Sequence, residues 1–171
     1  MNTQVRLLYV DDEPANLELF RLEFGEQFHI DTAPNAQEGI KILSQGNTDV
    51  LLTDERMPGM SGVEFLELAW KEWPHIGRFI VSAYSDADRI LRAINQGHAH
   101  EYITKPWDPN QILSSLERII SAQKRRKDLE RRAEIINEDL KAAHNPDSKK
   151  VPVGLNGGIK SLSQDLKRIA K

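Results

Sequence analysis

Hydrophobic positions in the first 120 residues follow two alternating patterns. Short unbroken apolar runs stop abruptly at charged or small polar residues, and each is followed by a stretch with apolar residues three and four apart. Residues 5–10 (VRLLYV) form the first run, interrupted only by Arg6, and end at Asp11, Asp12 and Glu13. A run this short suits a strand buried on both faces rather than a helix. Pro14 then fits the first turn of a helix, where its missing N–H costs nothing, with Leu17, Phe20 and Phe24 at helical spacing and Gly25 as a stop. The same cycle recurs as strand 28–32 and helix 36–44. It recurs again as strand 49–53 (DVLLT), a loop over 54–61 holding Pro58 and Gly59, and helix 62–71. Strand 78–82 (RFIVS), helix 86–95 with Gly97 behind it, strand 101–104 and a helix opening at Pro109 complete the series. Five β/α cycles predict an α/β fold, a doubly wound parallel sheet with helices on both faces.

That topology says where chemistry belongs. In an open parallel sheet the functional groups gather at the carboxyl ends of the strands. Here those ends carry Asp11, Asp12 and Glu13; Asp54, Glu55 and Arg56; Ser82 and Ala83; and Lys105. Crowded carboxylates repel one another and raise each other's pKa. A hard cation relieves that repulsion, and Mg2+ takes oxygen ligands, often one or two carboxylates with phosphate and water. A divalent ion, the Lys105 ammonium and the Ser82 hydroxyl around a carboxylate make a site for a phosphoryl group, with Asp54 as the nucleophile. Any one of these acids alone would read as a solvated loop end or a helix cap; Asp11, Asp12, Asp54, Ser82 and Lys105 together on one sheet edge do not.

These residues carry a family resemblance. The segments LLYVDDE (7–13), LLTDERMPGMSGVEFL (51–66), FIVSAYSD (79–86) and EYITKPWD (101–108) resemble the receiver domain of two-component response regulators, over residues 5 to about 120. The resemblance implies a flavodoxin-like fold with five parallel strands in the order 2-1-3-4-5. It implies that Asp54 accepts a phosphoryl group from a histidine kinase or phosphotransfer protein. It further implies Mg2+ held by Asp12, Asp54 and the backbone carbonyl of Arg56, with Asp11 acting through water. Ser82 matches the switch hydroxyl, where Thr is more frequent, Tyr102 the switch aromatic, and Lys105 the lysine that contacts phosphoryl oxygens. Arg56, Ala83 and Tyr84 fall where the lifetime of the phosphoaspartate is tuned. The Lys105–Pro106 bond matches one that is commonly cis. The KPWD ending (105–108) is similar to receivers attached to HD-type phosphodiesterases or hybrid kinases.

The helical pattern does not stop where a receiver would. Positions 112, 115, 119, 122, 126, 129, 133, 136, 140 and 143 alternate spacings of three and four, and eight of the ten are apolar. They run through Ile112, Ile119, Ala122, Arg126, Leu129, Ala133, Ile136 and Leu140 without Gly or Pro over 111–145. This is the narrow seam of a coiled coil. At 1.5 Å per residue the helix would span roughly 50 Å, and a lone helix of this kind is marginal in water. The expectation is a homodimer through this seam, with Arg126 as a polar misfit that either fixes register at some cost in stability or pairs across the interface. Residues 146–158 read as a linker rich in Pro, Gly and Lys, and 159–171 as a short basic amphipathic helix. The expected organisation is a receiver over 1–122, a coiled-coil continuation over 123–145, the linker, and the terminal helix.

Charge sharpens this division. Residues 1–120 hold 10 Lys/Arg against 19 Asp/Glu, a net of −9, whereas residues 121–171 hold 13 against 7, a net of +6. The basic residues of 124–132 alternate with acids four apart, as at Lys124/Asp128 and Arg126/Glu130. With no interleaved aromatics, this argues for a solvated coiled-coil face and against a nucleic-acid arm. The chain has no cysteine, which excludes disulfides and thiolate chemistry. No apolar run is long enough to span a membrane and the N-terminus lacks a secretory pattern, so a cytoplasmic protein is expected. Five scattered histidines include His98 and His100, expected on one strand face with no third ligand to make a metal site, and Trp70, Trp73 and Trp107 read as packing residues.

Three functions remain in view. The first is a phosphorylation-controlled receiver that signals to a downstream protein partner. The second is a regulatory segment of a larger signalling enzyme or transcription factor. The third is a Mg2+-dependent phosphohydrolase working through an aspartyl phosphate, against which stand Arg56, where such enzymes carry a second Asp, and the absence of a cap insertion.

Overall fold

The computed structural model describes residues 5–84, 87–96 and 98–143. The chain divides into two units, residues 1–123 and 124–171. In the first, five strands, β1 (Arg6–Val10), β2 (His29–Ala33), β3 (Val50–Asp54), β4 (Gly77–Ser82) and β5 (Glu101–Thr104), form one parallel sheet in the order β2-β1-β3-β4-β5. Helices α1 (Pro14–Phe24), α2 (Ala36–Leu43), α3 (Gly62–Glu72) and α4 (Ala87–Asn95) alternate with the strands, and α5 (Pro109–Ala143) follows β5.

Side chains alternate across each strand, so the sheet feeds two cores. Leu8, Val10, Leu51 and Ile80 point to one face, where they meet Phe65, Leu66 and Ala69 of α3, Leu43 of α2 and Ala93 of α4. Leu7, Tyr9, Leu52, Phe79 and Val81 point to the other, against Phe20 and Phe24 of α1 and Ile112 and Leu116 of α5. Both sides of β1, β3 and β4 are thus covered, which is why these strands read as continuous apolar runs.

The helix starts are written locally. Pro14 opens α1. Asn35 caps α2 by accepting from the Glu38 N–H, and Ser61 and Glu64 form a reciprocal capping box at α3. Gln123 donates to the carbonyls of Asp49 and His75 at 3.0 and 2.9 Å, tying α5 to the amino-terminal edge of the sheet. At that same edge the buried Arg78 guanidinium donates to the carbonyls of His98 and Ile76. The Arg78 backbone N–H donates to His100 Nδ1. Burial, with Arg78 nearby, pushes the His100 imidazole down to about 4.

Several expectations shift. Strands β2 and β3 each start and end one residue later than the pattern predicts, so Asp54 closes β3 rather than opening the loop. His98 and His100 both precede β5, His98 with a left-handed φ of 51°, so they do not share a strand face. Ile112, placed on the coiled-coil seam by spacing, is fully buried in the receiver core, and Ile119 packs against the same cluster. In the second unit, Leu129 and Leu140 are 45% and 52% exposed. Arg126 and Ala133 are also exposed and Ile136 is partly buried. Asp86, Gly97, residues 144–145 of the expected coiled coil, the expected linker 146–158 and the expected terminal helix 159–171 lie outside the described residues.

Candidate functional site

Parallel pairing brings the ends of β1, β3, β4 and β5 to one edge. Val10 aligns with Thr53, Asp54 with Val81 and Ser82 with Thr104, so the residues that finish or follow these strands surround one opening. The cavity there has a volume of about 310 Å³ and is lined by Asp11, Asp12, Glu13, Asn16, Asp54, Arg56, Ser82, Ala83, Tyr84 and Lys105.

Lys105 organises it. Its ammonium donates to Asp11 Oδ2 at 2.7 Å and to Asp54 Oδ1 at 2.5 Å, so two carboxylates from adjacent central strands share one cation. The second oxygen of Asp54 accepts the Arg56 backbone N–H at 2.6 Å. Burial raises the Asp54 carboxyl above its ordinary range; Lys105 and the Arg56 N–H oppose this without cancelling it. Asp11 goes the other way. Burial would raise it, but hydrogen bonds from Lys105, Tyr9, Asn16 and the Glu13 N–H outweigh burial and hold it below the usual value. For Lys105, burial would lower the ammonium, and Asp11 and Asp54 together raise it. Carboxylates that depart in opposite directions around one lysine mark a site built for charge.

Of the other expected residues, Asp12 stands exposed at the rim. Arg56 lies with its guanidinium 4.1 Å above the Tyr84 ring and donates to the Tyr84 hydroxyl at 2.9 Å. Ala83 is exposed beside them. Ser82 lines the cavity, but its hydroxyl donates to Glu55 Oε2 at 2.5 Å. The Tyr102 hydroxyl lies 3.1 Å from that same oxygen and 2.6 Å from the Tyr84 carbonyl. The Lys105–Pro106 peptide is cis. Gly62 sits directly behind Asp54: a Cβ there would meet the Asp54 carbonyl oxygen at 2.1 Å. Among the described residues no three carboxylate or imidazole side chains are grouped closely enough to hold a metal by themselves. The donor set nonetheless suits Mg2+, which completes its shell with water, main-chain oxygen and phosphate around one or two carboxylates.

Two contributors escaped the sequence reading. Tyr9 is wholly buried, stacks on Phe20 with ring centroids 4.5 Å apart, and donates its hydroxyl to Asp11 Oδ2 at 2.5 Å. Asn16 donates to both oxygens of Asp11. The signal for Tyr9 was present, since residues two apart on a strand share a face. Trp107 was read as packing, and its indole does pack edge-on to Tyr9 and Phe20, while its N–H donates to Glu23 at 2.6 Å.

Comparison with known proteins agrees with this geometry. Residues 7–117 match the model of the response regulator receiver domain. The chain is 34% identical over 128 residues to the hydrogenase transcriptional regulatory protein HoxA of Cupriavidus necator, covering 75% of this chain and 27% of that protein. It is 32% identical over 169 residues to HoxA of Bradyrhizobium diazoefficiens, covering 99% of this chain and 34% of that protein. The chain therefore spans about a third or less of the length of these curated relatives. Among solved structures, a CheY-like response regulator receiver domain protein from Methanospirillum hungatei superposes with a TM-score of 0.68 at 28% identity, over 72% of this chain and 99% of that one. No helix among the described residues is long and apolar enough to cross a membrane. From its sheet order, its strand-end cavity and these matches, the chain belongs to the family of response regulator receiver domains.

Proposed function

We propose that Asp54 is the phosphoacceptor and that a histidine kinase or phosphotransfer protein is the donor. The observation that carries this reading is the Lys105 ammonium bridging Asp11 and Asp54 at the mouth of a cavity. An Asp54 oxygen attacks the phosphorus of a phosphohistidine, the P–O bond forms as the P–N bond breaks, and the electron pair returns to the leaving imidazole. Lys105 then turns a donor toward the phosphoryl oxygens, and the Arg56 N–H keeps the carboxylate oriented. Asp11, Asp12, Asp54 and the Arg56 backbone carbonyl are the residues that would hold Mg2+, which when bound neutralises charge on the incoming phosphoryl group. Ser82 and Tyr102 are the switch pair, and Arg56, Ala83 and Tyr84 shape access for attacking water. The chain acts as a regulator rather than a turnover enzyme, with slow self-dephosphorylation at most, in the cytoplasm.

Output follows from the remaining seam. Ala122, Arg126, Leu129, Ala133, Ile136 and Leu140 continue the three–four spacing beyond the core, and the exposure of Leu129 and Leu140 supports a homodimeric coiled coil that signals to a downstream protein. A second reading rests on the match to Bradyrhizobium HoxA, which extends through almost the whole chain. On that reading the chain is the receiver-bearing part of a transcriptional regulator. Light scattering of wild type and Asp54→Ala, with and without Mg2+ and beryllofluoride, tests acceptor and dimer together. The expected result is a dimer whose behaviour changes with beryllofluoride only when Asp54 is present. Identical responses would refute the acceptor, and a monomer throughout would refute the coiled coil.

A further inference from the structure

We propose that Glu55, the residue after the acceptor, is a positioning residue that holds the switch in its unphosphorylated arrangement. The inference rests on the reading of Asp54 as the acceptor and adds a residue that the strand-end pattern had left without a role.

Glu55 is buried, and its main chain is fixed by a hydrogen bond from its N–H to the Val81 carbonyl and one from the Gly62 N–H to its own carbonyl. From this anchored position its carboxylate reaches across to β4 and β5. One oxygen, Oε2, accepts the Ser82 hydroxyl at 2.5 Å and lies 3.1 Å from the Tyr102 hydroxyl. The Ser82 hydroxyl is thus committed to this anionic oxygen, and the Tyr102 hydroxyl, 2.6 Å from the Tyr84 carbonyl, stands beside it. A serine hydroxyl has one proton to donate. While that proton is committed to Glu55, Ser82 cannot donate it to a phosphoryl oxygen on Asp54. The other side of the Ser82 oxygen already accepts the Tyr84 N–H at 3.1 Å. Turning Ser82 toward the pocket means exchanging one anionic acceptor for another. Glu55 thus occupies, before phosphorylation, the role that the phosphoryl group takes afterwards, and it sets how strongly that group must compete.

Two variants separate this contact from a plain charge effect. Glu55→Gln keeps size and reach but removes the charge. Hydrogen bonds to charged acceptors are stronger than neutral ones, so the apparent affinity for beryllofluoride with Mg2+ should rise about five- to tenfold. Glu55→Asp keeps the charge but withdraws the carboxylate by one methylene, so it should also bind beryllofluoride more tightly than wild type. If Glu55→Asp equals wild type while Glu55→Gln gains, charge repulsion alone is at work and the positioning role is wrong. Wild-type affinity in both variants overturns it as well.

A second readout needs no ligand. With fluorotyrosine incorporated, and the Tyr102 resonance assigned through Tyr102→Phe, Glu55→Gln should shift the Tyr102 19F signal in the unliganded protein. An unchanged signal overturns the proposal. If beryllofluoride leaves wild type and Asp54→Ala alike, the acceptor reading fails, and the unliganded Tyr102 comparison still decides the role of Glu55.

Discussion

Replacing Tyr9 by Phe deletes one buried oxygen and leaves the aromatic packing in place. The ring still stacks on Phe20 and meets Trp107 edge-on, so the loss is confined to the hydrogen bond to Asp11. That bond has a charged acceptor and is fully buried, conditions under which removal costs about 1.5–3 kcal/mol. Burial and the Asp11 carboxylate push the Tyr9 phenol far above its ordinary value, so the hydroxyl is a protonated donor at every pH the protein meets. Asp11 keeps Lys105, Asn16 and the Glu13 N–H, which argues for partial loss rather than collapse of the pocket. The pH dependence has a definite sign. Asp11 is held below its ordinary value, so its hydrogen bonds contribute stability that is complete above the unfolded value of 3.8 and fades as pH falls through the lower folded one. Urea unfolding followed by circular dichroism should show Tyr9→Phe less stable by about 1.5–3 kcal/mol at pH 7, with an unchanged slope against urea. The difference should shrink as the pH is taken below 3.8. A difference below about 0.5 kcal/mol at pH 7 would refute the claim that the phenol holds Asp11.

Three further outcomes follow. Burial lifts the Asp54 carboxyl, so the folded chain binds more protons than the unfolded one just above the ordinary value, and stability falls as pH rises through that window. Asp54→Asn should therefore melt at a higher temperature than wild type at pH 7, with the gain lost near pH 3, and a lower melting temperature would contradict the balance of forces described. Gly62→Ala places a methyl group 2.1 Å from the Asp54 carbonyl oxygen, against backbone that cannot swing aside. It should lose about 2–3 kcal/mol and weaken beryllofluoride binding, and wild-type values for both would refute the close approach. His100, held neutral to about 4 against an ordinary value of 6.5, makes stability fall as pH drops from 6.5 towards 4. Because His100 is partly exposed, solvent screening reduces the effect to about 1–2 kcal/mol. His100→Asn should flatten that slope in paired melts, and parallel slopes would remove His100 as its cause.

Much of this was legible because the fold repeats one rule. The apolar runs of β1, β3 and β4 announce strands covered on both faces, and a parallel sheet then sends Asp11, Asp54, Ser82 and Lys105 to one edge. What sequence could not supply was the pairing across strands. The one-residue shift of β3 follows from its register with β4, where Asp54 pairs with Val81. The capture of Ser82 by Glu55 likewise depends on which side chain at the end of β3 reaches β4, here the residue just after the strand, and local pattern contains neither. In α5 the difficulty is different. A helix packing on a sheet and a helix in a coiled coil both repeat apolar residues at three and four, so the spacing through Ile112 and Ile119 continued smoothly from one use into the other. Burial of Ile112 and exposure of Leu129 separate them.

The Trp107 indole lies two residues beyond Lys105 in sequence, against the ring of Tyr9, whose hydroxyl ends on Asp11. The aromatic cluster thereby connects the pocket's electrostatics to a chromophore. An event that redistributes Lys105 between Asp11 and Asp54 should alter the field at that indole. Trp70, by contrast, is 41% exposed and stacked on His98 at the far end of the sheet. The protein carries its own optical gauge, in which emission from Trp107 should report the state of the strand-end pocket without any added label.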